Sequence, residues 1–286
     1  MSDPDRKRAL ITGASRGIGR ITALDLAKKG FDLTLVVRDK GRGEHVANEI
    51  KAAGAAMPEL LVGDLSSMKE VARVAKEFLA RHDRLSVLVN NAGAILTTRT
   101  TTVDGYEGTF ATNHLAYFVL TNLLRPALEK AAPSRVVVVA SEAHRRARIP
   151  WDDLMHEQSY SSWKAYGESK LANVLFAREL AKRLGDKGVT VNSLHPGFVA
   201  TNFGWENRGI MKYLIRIAMV FAITEEEGAK TTIWAATSDE AGKITGKYLD
   251  GCRETTPSRA AQSDEDAARL WKVSEELAAK AGVPLS

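Results

Sequence analysis

Short runs of aliphatic and β-branched residues alternate along the chain with longer stretches in which apolar positions recur every three or four residues. Several short runs, such as LVV, VLV and VVVV, are continuously apolar, which is typical of parallel strands buried on both faces. They predict strands at 9–12, 31–38, 59–63, 87–90, 135–140, 189–194 and 247–249. The longer stretches predict helices near 17–29, 42–53, 67–81, 103–131, 160–184, 224–237 and 264–281.

This alternation predicts an α/β fold, a doubly wound, mostly parallel, seven-stranded sheet with helices on both faces, as in the Rossmann fold. No internal repeat or low-complexity linker divides the 286 residues, so we expect one domain over 1–286. Its C-terminal helix starts with the capping-box-like spacing of Ser263 and Asp266 and stops at Gly282. Ligands of such sheets bind at the carboxyl ends of the strands, so the loops there are where chemistry is expected.

Composition and charge narrow the function classes. Hydrophobic residues make up 44% and charged residues 26% of the chain, as in ordinary globular proteins. The net charge of +5 is spread along the chain, and we therefore expect no nucleic-acid partner. Cys252 is the single cysteine, which excludes an internal disulfide, and no histidine–carboxylate spacing predicts a metal site. A reducing compartment fits this cysteine usage, and we expect a cytoplasmic protein.

Two segments bear on membranes. The N-terminal sequence MSDPDRKRALIT lacks the apolar run of a signal peptide, so none is expected. Residues 209–223 are apolar but fall short of the roughly 20 residues that a spanning helix needs. They predict a buried or interfacial helix and no transmembrane segment, which leaves a peripheral membrane contact open.

The turn after the first strand is rich in glycine and reads TGASRGIG over residues 12–19. Glycine lets the backbone approach a ligand closely, and the helix that follows offers free N–H groups to a pyrophosphate. A tight strand–helix turn is the alternative, but the position, as the first such turn of an α/β chain, favours a nucleotide site. The binding residues would be Gly13, Ser15, Arg16, Gly17, Ile18 and Gly19.

The end of the second strand is expected to select the nucleotide. An acid there would bind a ribose 2′-hydroxyl, whereas arginine suits a 2′-phosphate. Val37 occupies the acid position, Arg38 follows it, and Arg16 lies in the glycine turn, so two guanidinium groups could bind one phosphate. We therefore expect NADP(H) as the cofactor, although Asp39 could take the hydroxyl or pair with Arg38.

Four polar residues follow or flank the later strands. Tyr166 and Lys170 are four positions apart and share a helix face, where an ammonium would favour the phenolate. A free tyrosine has a pKa of about 10, so proton exchange near neutral pH needs a shift of roughly 3 units. Ser141 could donate to a substrate oxygen, and Asn113, unusual within a helix, could relay protons through water.

Each of these residues has a structural alternative. A YxxxK pair can be a surface pair, Ser141 a turn residue, and Asn113 a partner of a neighbouring carbonyl; their joint order and placement favour catalysis. A Ser141–His144 hydrolase would need a GxSxG turn centred on Ser141, and residues 139–143 read VASEA instead. His114 and His195 are interpreted as packing or hydrogen-bonding residues. The basic loop over 144–148 is interpreted as a solvated insertion, with a site for an acidic substrate as the alternative.

Together these motifs make the sequence resemble the short-chain dehydrogenase/reductase family. The matching features are TGxxxGxG over 12–19, Asp64 after the third strand, NNAG over 90–93, Asn113, Ser141, the YxxxK pair, Pro196-Gly197 and Thr201. The resemblance implies a catalytic tetrad of Asn113, Ser141, Tyr166 and Lys170, with Tyr166 and Lys170 also touching the cofactor. It implies adenine contacts from Asp64 and Leu65, ribose contacts from Asn91 beside Ala92 and Gly93, and nicotinamide contacts from Pro196, Gly197, Val199 and Thr201.

A narrower resemblance is to the retinol dehydrogenase and WW-domain-oxidoreductase-like branch. It rests on AYGESKLANVLFARELAKRL, on LHPGFVATNF and on the tail from GKYLDGCRETT onward. The gap of 25 positions between Ser141 and Tyr166 is longer than is usual in the family, and this branch shares the insertion.

The segment 198–223 is expected to form a lid over the substrate. Its apolar side chains, among them Phe198, Phe203 and Trp205, favour a lipophilic ketone, aldehyde or alcohol, although they could also cover the core or a subunit interface. We therefore expect an NADP(H)-dependent oxidoreductase of the carbonyl reductase type, with Tyr166 as its general acid and base. A non-catalytic NADP-binding regulator and a retinol-type dehydrogenase at a membrane surface stay as alternatives, and a homo-oligomer is compatible with either.

Overall fold

The computed structural model describes residues 6–197 and 224–285. The strands are β1 (Arg8–Thr12), β2 (Asp32–Val37), β3 (Glu59–Val62), β4 (Val87–Asn90), β5 (Ser134–Val139), β6 (Val189–Leu194), β7 (Tyr248–Asp250) and β8 (Arg253–Thr255). The α-helices are α1 (Gly17–Lys28), α2 (Lys40–Ala52), α3 (Met68–Arg81), α4 (Gly108–Phe110), α5 (Ala116–Lys130), α6 (Ser162–Leu184), α7 (Glu225–Thr237) and α8 (Asp264–Lys280). A π-helical turn, Ala111–Leu115, joins α4 to α5.

The strands form one sheet in the order β3-β2-β1-β4-β5-β6-β7-β8. All neighbouring pairs are parallel except β7 and β8, which are antiparallel. From β1, strands β2 and β3 extend the sheet to one side, whereas β4 and the later strands extend it to the other. The loops after β1 and β4 therefore diverge and leave a crevice at the carboxyl ends of these strands. The doubly wound, mostly parallel architecture expected from the sequence is confirmed.

Each face of the sheet carries its own apolar layer. Val136 and Val138 of β5 pack into one layer with α3, α5, α6 and α8, whereas Val137 and Val139 pack into the other with α1, α2 and α7. Successive strand side chains point to opposite faces, so a strand covered by helices on both sides must be apolar at every position. This explains the continuous VVVV run.

Two sequence expectations are corrected by the structure. The described residues form eight strands and not seven, because β8 turns back on β7 through Gly251 and Cys252, which both have positive φ. Positive φ at both central residues is the geometry of a tight two-residue hairpin turn, but the polar strand that follows has no apolar signal. The fourth helical segment begins at Gly108 and not near 103, because the Glu107 carboxylate accepts the N–H groups of Thr109 and Phe110 and fixes the start there.

Of the two peripheral segments expected from the sequence, the C-terminal helix and the lid, the structure describes the helix. The last helix spans Asp264–Lys280, and Ser263 caps it by accepting the N–H of Asp266. The expected lid over 198–223, together with Val199 and Thr201, lies outside the described residues. Within residues 6–197 and 224–285, no helix is long and apolar enough to cross a membrane.

Candidate active site

The glycine turn between β1 and α1 is closely packed. Gly13 has φ +66°, and a Cβ built on Gly19 would lie 2.4 Å from the Gly13 carbonyl oxygen and 2.5 Å from Nδ2 of Asn91. Any larger residue at position 19 would therefore displace backbone. Arg16 is the residue before α1, and its side chain does not cap the first N–H groups of the helix. Backbone donors at a helix start, with no side chain in the way, suit a pyrophosphate.

Hydrogen bonds join this turn to the loop after β4. Thr12 Oγ1 accepts the N–H groups of Asn91 at 2.9 Å and Ala92 at 3.0 Å. Asn91 Nδ2 in turn donates to the Thr12 carbonyl at 2.9 Å. The Asn91 carboxamide, expected to bind ribose, thus also holds the two loops at the crevice together. The motif alone did not reveal that the buried Thr12 hydroxyl joins the two loops.

The loops that follow β1 and β2 present charged side chains to solvent. Arg16 and Arg38 are both exposed. Asp39 caps α2 by accepting the N–H of Arg42 at 3.0 Å, and its carboxylate also pairs with the Arg42 guanidinium. Asp39 therefore pairs with Arg42, and the pair with Arg38 that the sequence left open is not formed.

At the end of β3, Asp64 is exposed while the neighbouring Leu65 is buried. The Asp64 carboxylate accepts the N–H of Ser66 at 2.9 Å. At the end of β6, Pro196 and Gly197 are the last described residues before position 198, and Gly197 has φ +84°. These residues, expected to contact the adenine and the nicotinamide, all follow carboxyl ends of strands.

Asn113 lies in the π-helical turn and is fully buried. Its Oδ1 accepts the N–H of Ala94 at 2.8 Å, and its Nδ2 donates to the Ala94 carbonyl and to Ser169 Oγ, both at 2.9 Å. Ser169 Oγ then donates to the Tyr166 carbonyl at 2.7 Å. The carboxamide therefore connects the β4 loop to α6. All its hydrogen-bonding groups have protein partners, and the relay expected of Asn113 stays a prediction.

Ser141, Tyr166 and Lys170 meet where β5 ends beside α6. The Ser141 hydroxyl is hydrogen-bonded to the half-buried phenol of Tyr166. The buried Lys170 Nζ donates to the Val139 carbonyl at 3.0 Å and lies 5.6 Å from the centroid of the Tyr166 ring. Gly93 adjoins both Asn113 and Lys170, since a Cβ built on it would lie 3.3 Å from Asn113 Oδ1 and 3.5 Å from Lys170 Nζ. The structure thus brings all four tetrad residues together.

The electrostatics of this cluster differ from expectation. Burial raises the pKa of Tyr166, and the hydrogen bond with Ser141 opposes that rise. Burial also lowers the pKa of Lys170 from 10.5 to about 7. The expected lowering of the Tyr166 pKa by Lys170 is therefore not found, because the sequence argument counted a neighbouring ammonium but not the burial of both groups.

The histidines near Ser141 are structural. His144 Nε2 accepts the N–H of Ser258 at 3.1 Å, so its Nδ1 carries the proton and donates to the Ser141 carbonyl at 2.7 Å. His195 Nδ1 accepts the N–H of Glu142 at 3.3 Å. Burial is the main cause that lowers the pKa of both rings. The interpretation of His195 as a packing or hydrogen-bonding residue fits this contact. His144, expected within a solvated insertion, is instead fully buried, because its ring is held between the Ser141 carbonyl and the Ser258 N–H.

Besides Thr12 and His144, three further groups that shape the site were not predicted from the sequence. They are the hydroxyl of Ser169, the Ala94 backbone and the carbonyl of Val139. Ser169 lies between Tyr166 and Lys170, and its position three residues after the tyrosine was an available signal for the bond that it makes to the Tyr166 carbonyl. The other two groups are backbone atoms and leave no mark in side-chain chemistry. Among residues 6–197 and 224–285, no group of three or more His, Cys, Asp or Glu is placed to hold a metal ion.

Comparison with known proteins gives a consistent result. A family model described as short chain dehydrogenase matches residues 7–209. Retinol dehydrogenase 14 of Mus musculus is 41% identical over 286 residues, which cover 94% of this chain and 85% of that protein. Retinol dehydrogenase 12 of Homo sapiens is 41% identical over 273 residues, which cover 95% of this chain and 86% of that protein.

Solved structures agree with these relatives. An uncharacterised protein from Mycobacterium paratuberculosis matches with a TM-score of 0.79 at 33% identity, covering 98% of this chain and 95% of that chain. The NADP active-site complex of RhlG from Pseudomonas aeruginosa matches with a TM-score of 0.69 at 28% identity, covering 89% and 96%. The chain belongs to the short-chain dehydrogenase family, in its retinol dehydrogenase-like branch, and is a nicotinamide-dependent oxidoreductase that acts on CH–OH and C=O groups.

Proposed function

We propose that the protein is an NADP(H)-dependent oxidoreductase that interconverts a lipophilic ketone or aldehyde and the corresponding alcohol. The observation that carries this proposal is the meeting of Ser141, Tyr166 and Lys170 at the same sheet edge as the glycine turn. A hydroxyl donor, a proton-transferring phenol and a buried amine beside a nucleotide cradle are the groups that carbonyl reduction requires.

The residues at the crevice fit a dinucleotide. The glycine turn is packed so closely that a Cβ at Gly19 would displace its backbone, and α1 begins without a side-chain cap. Preference for the 2′-phosphate is supported by the exposed guanidinium groups of Arg16 and Arg38 and by the absence of an acid at Val37. Asp39 does not oppose it, because its carboxylate is held by Arg42 and the start of α2. The cofactor, when bound, supplies or accepts the hydride.

Tyr166 is the proposed general acid and base. In the reduction its phenol gives a proton to the substrate oxygen, and in the oxidation the phenolate takes one back. Ser141 donates a hydrogen bond to the same oxygen, where negative charge develops. Because burial raises the pKa of Tyr166, the phenol stays protonated at neutral pH, as proton donation in the reduction requires. The Lys170 ammonium lies next to the phenol ring. Asn113 fixes the β4 loop against α6.

The substrate class is inferred from the relatives. Proteins 41% identical over most of their length are named retinol dehydrogenases, and retinol is lipophilic. A retinol or retinal substrate is therefore the second candidate within the same reaction class. A non-catalytic NADP-binding regulator is less well supported, since nucleotide binding alone would not require Ser141 and Tyr166 to be hydrogen-bonded.

A substrate panel tests the proposal. The purified protein is incubated with NADPH or NADH and a series of aldehydes and ketones that includes all-trans-retinal, and consumption of the reduced cofactor is followed by absorbance. We expect turnover with NADPH well above that with NADH, and greater efficiency on apolar than on small polar carbonyls. A protein that binds NADPH but turns over no carbonyl would support the regulator instead.

A further inference from the structure

Trp163 stands out among the aromatic side chains of the described residues because its indole is exposed. Its exposed fraction is 55%, and the other large exposed hydrophobic residues of the described chain are aliphatic: Met57, Val62, Leu79 and Val103. By contrast, Trp271 is buried and Trp151 donates its indole N–H to Asp266. An exposed indole is a large apolar surface, and its burial against a ligand would be favourable.

The position of this indole relates it to the proposed chemistry. Trp163 lies in the first turn of α6, three residues before Tyr166, so both side chains lie on one face of the helix. The two ring centroids are 6.4 Å apart, with the rings nearly perpendicular at 86°. The indole therefore stands directly beside the phenol that is proposed to meet the substrate oxygen.

The distance limits what the indole can contact. If the carbonyl oxygen of the substrate bonds Tyr166 and Ser141, the groups on its carbonyl carbon lie close to the Tyr166 ring. The Trp163 ring centroid is 6.4 Å from that ring, so one of these groups can contact the indole. A flat unsaturated group there can lie against an indole and bury apolar area on both sides with few rotatable bonds to fix. A methyl or ethyl group in the same place would be too short to cover it.

We infer that Trp163 is a specificity-determining residue that recognises a flat, unsaturated apolar group attached to the carbonyl carbon of the substrate. This inference rests on the proposed function and narrows its substrate class from lipophilic carbonyls to conjugated or aryl carbonyls. The role concerns binding of the substrate and leaves the proton transfer to Tyr166.

Two substrates and three variants test this inference. Cinnamaldehyde carries a flat conjugated group and propanal does not, and both are compared for unsubstituted protein, Trp163→Ala, Trp163→Phe and Met57→Ala with NADPH. Met57 is the control, because it is similarly exposed at 52% but lies in the loop before β3, at the opposite edge of the sheet. We expect Trp163→Ala to raise KM for cinnamaldehyde about 10- to 100-fold while kcat/KM for propanal stays within about threefold. Trp163→Phe should retain most of the preference.

The contrary outcomes are distinct. Equal losses on both substrates, or no loss on either, would overturn the role of Trp163 in specificity. A second measurement does not need turnover: cinnamyl alcohol should quench part of the tryptophan fluorescence of the unsubstituted protein, and this quenching should vanish in Trp163→Phe. If no carbonyl of the panel is reduced, the proposed function fails, while the presence or absence of this quenching still decides whether Trp163 binds the flat group.

Discussion

The carboxamide of Asn113 bonds both backbone polar groups of Ala94, accepting its N–H at 2.8 Å and donating to its carbonyl at 2.9 Å. This pair of bonds resembles one rung of a sheet, although it joins a π-helical turn to a loop. The loop is the one that follows β4 and continues from Asn91 to Gly93, so Asn113 sets its position relative to Lys170. A π-helical turn inside a longer helix is uncommon and is frequently found at functional sites.

The first prediction concerns this contact. Asn113→Ala removes the partner of both half-buried Ala94 backbone groups and one of the two partners of Ser169 Oγ, and an unpaired buried group is unfavourable by about 1–3 kcal/mol. We expect the free energy of unfolding to fall by about 3 kcal/mol, together with a loss of turnover, as measured by urea denaturation and by assay. Asn122→Ala is the control, since this half-buried residue of α5 makes one bond, to the Phe118 carbonyl. An equal effect of the two substitutions would contradict the proposed positioning role.

The second prediction concerns the glycine turn. Gly19→Ala would put a Cβ 2.4 Å from the Gly13 carbonyl oxygen, so the turn must open. We expect NADPH affinity to fall at least about tenfold, because the turn must deform to admit the Cβ and its backbone N–H groups would no longer be placed for the phosphates. In Gly41→Ala the nearest atom, Asp39 Oδ1, lies 3.5 Å away, so this variant of α2 should bind normally. Isothermal titration of both variants measures this, and unchanged affinity in Gly19→Ala would place the nucleotide elsewhere.

The third prediction concerns the choice of cofactor. Arg38→Ala removes one exposed guanidinium from the proposed 2′-phosphate site, and a lost charged hydrogen bond is worth about 1.5–3 kcal/mol. The Kd for NADPH should therefore rise about 10- to 100-fold, with little change for NADH. Arg42→Ala, whose arginine is paired with Asp39 a few residues away, should change neither affinity by as much. Equal affinities of the unsubstituted protein for the two cofactors would defeat the assignment to NADP(H).

The fourth prediction follows from the lowered pKa of Lys170, about 7 in the folded protein against 10.5 ordinarily. Between these values the unfolded chain binds more protons than the folded one, so stability rises as the pH rises from 7 toward 10, by up to about 1.4 kcal/mol per pH unit. Below pH 7 this group contributes no slope. Lys170→Met should therefore be more stable than the unsubstituted protein at pH 7, with the difference shrinking by pH 9. Parallel stability curves for the two proteins would contradict the burial effect.

Much of the fold could be read from the chain because the signals are local. The VVVV run of β5 required helices on both faces, and the order of strands and helices left few topologies. β8 was missed because Arg253–Thr255 is polar and three residues long, so only its pairing with β7 makes it a strand. The start of the helix at Gly108 depends on the Glu107 carboxylate, a cap that helical periodicity cannot locate.

The clustering of the proposed catalytic residues could be predicted from the sequence, but their electrostatics could not. Ser141, Tyr166 and Lys170 follow from spacing and from the ends of strands. The direction of the Tyr166 pKa depends on how deeply the ring and the ammonium are buried, and burial is set by residues distant in sequence. For the same reason, the partners of Asn113 and the exposure of Trp163 could be known only from the folded chain.

The most direct test of the account is the turnover of Tyr166→Phe on any active carbonyl substrate with NADPH. The substitution removes one hydroxyl and little volume, so folding and NADPH affinity should be retained. Because positioned acid–base groups contribute about 10²- to 10⁴-fold, we expect kcat to fall by that factor or more. Tyr106→Phe is the control, since that hydroxyl donates to the Leu277 carbonyl away from the site, and it should keep near-native turnover. Near-native turnover of a folded, NADPH-binding Tyr166→Phe would contradict the account.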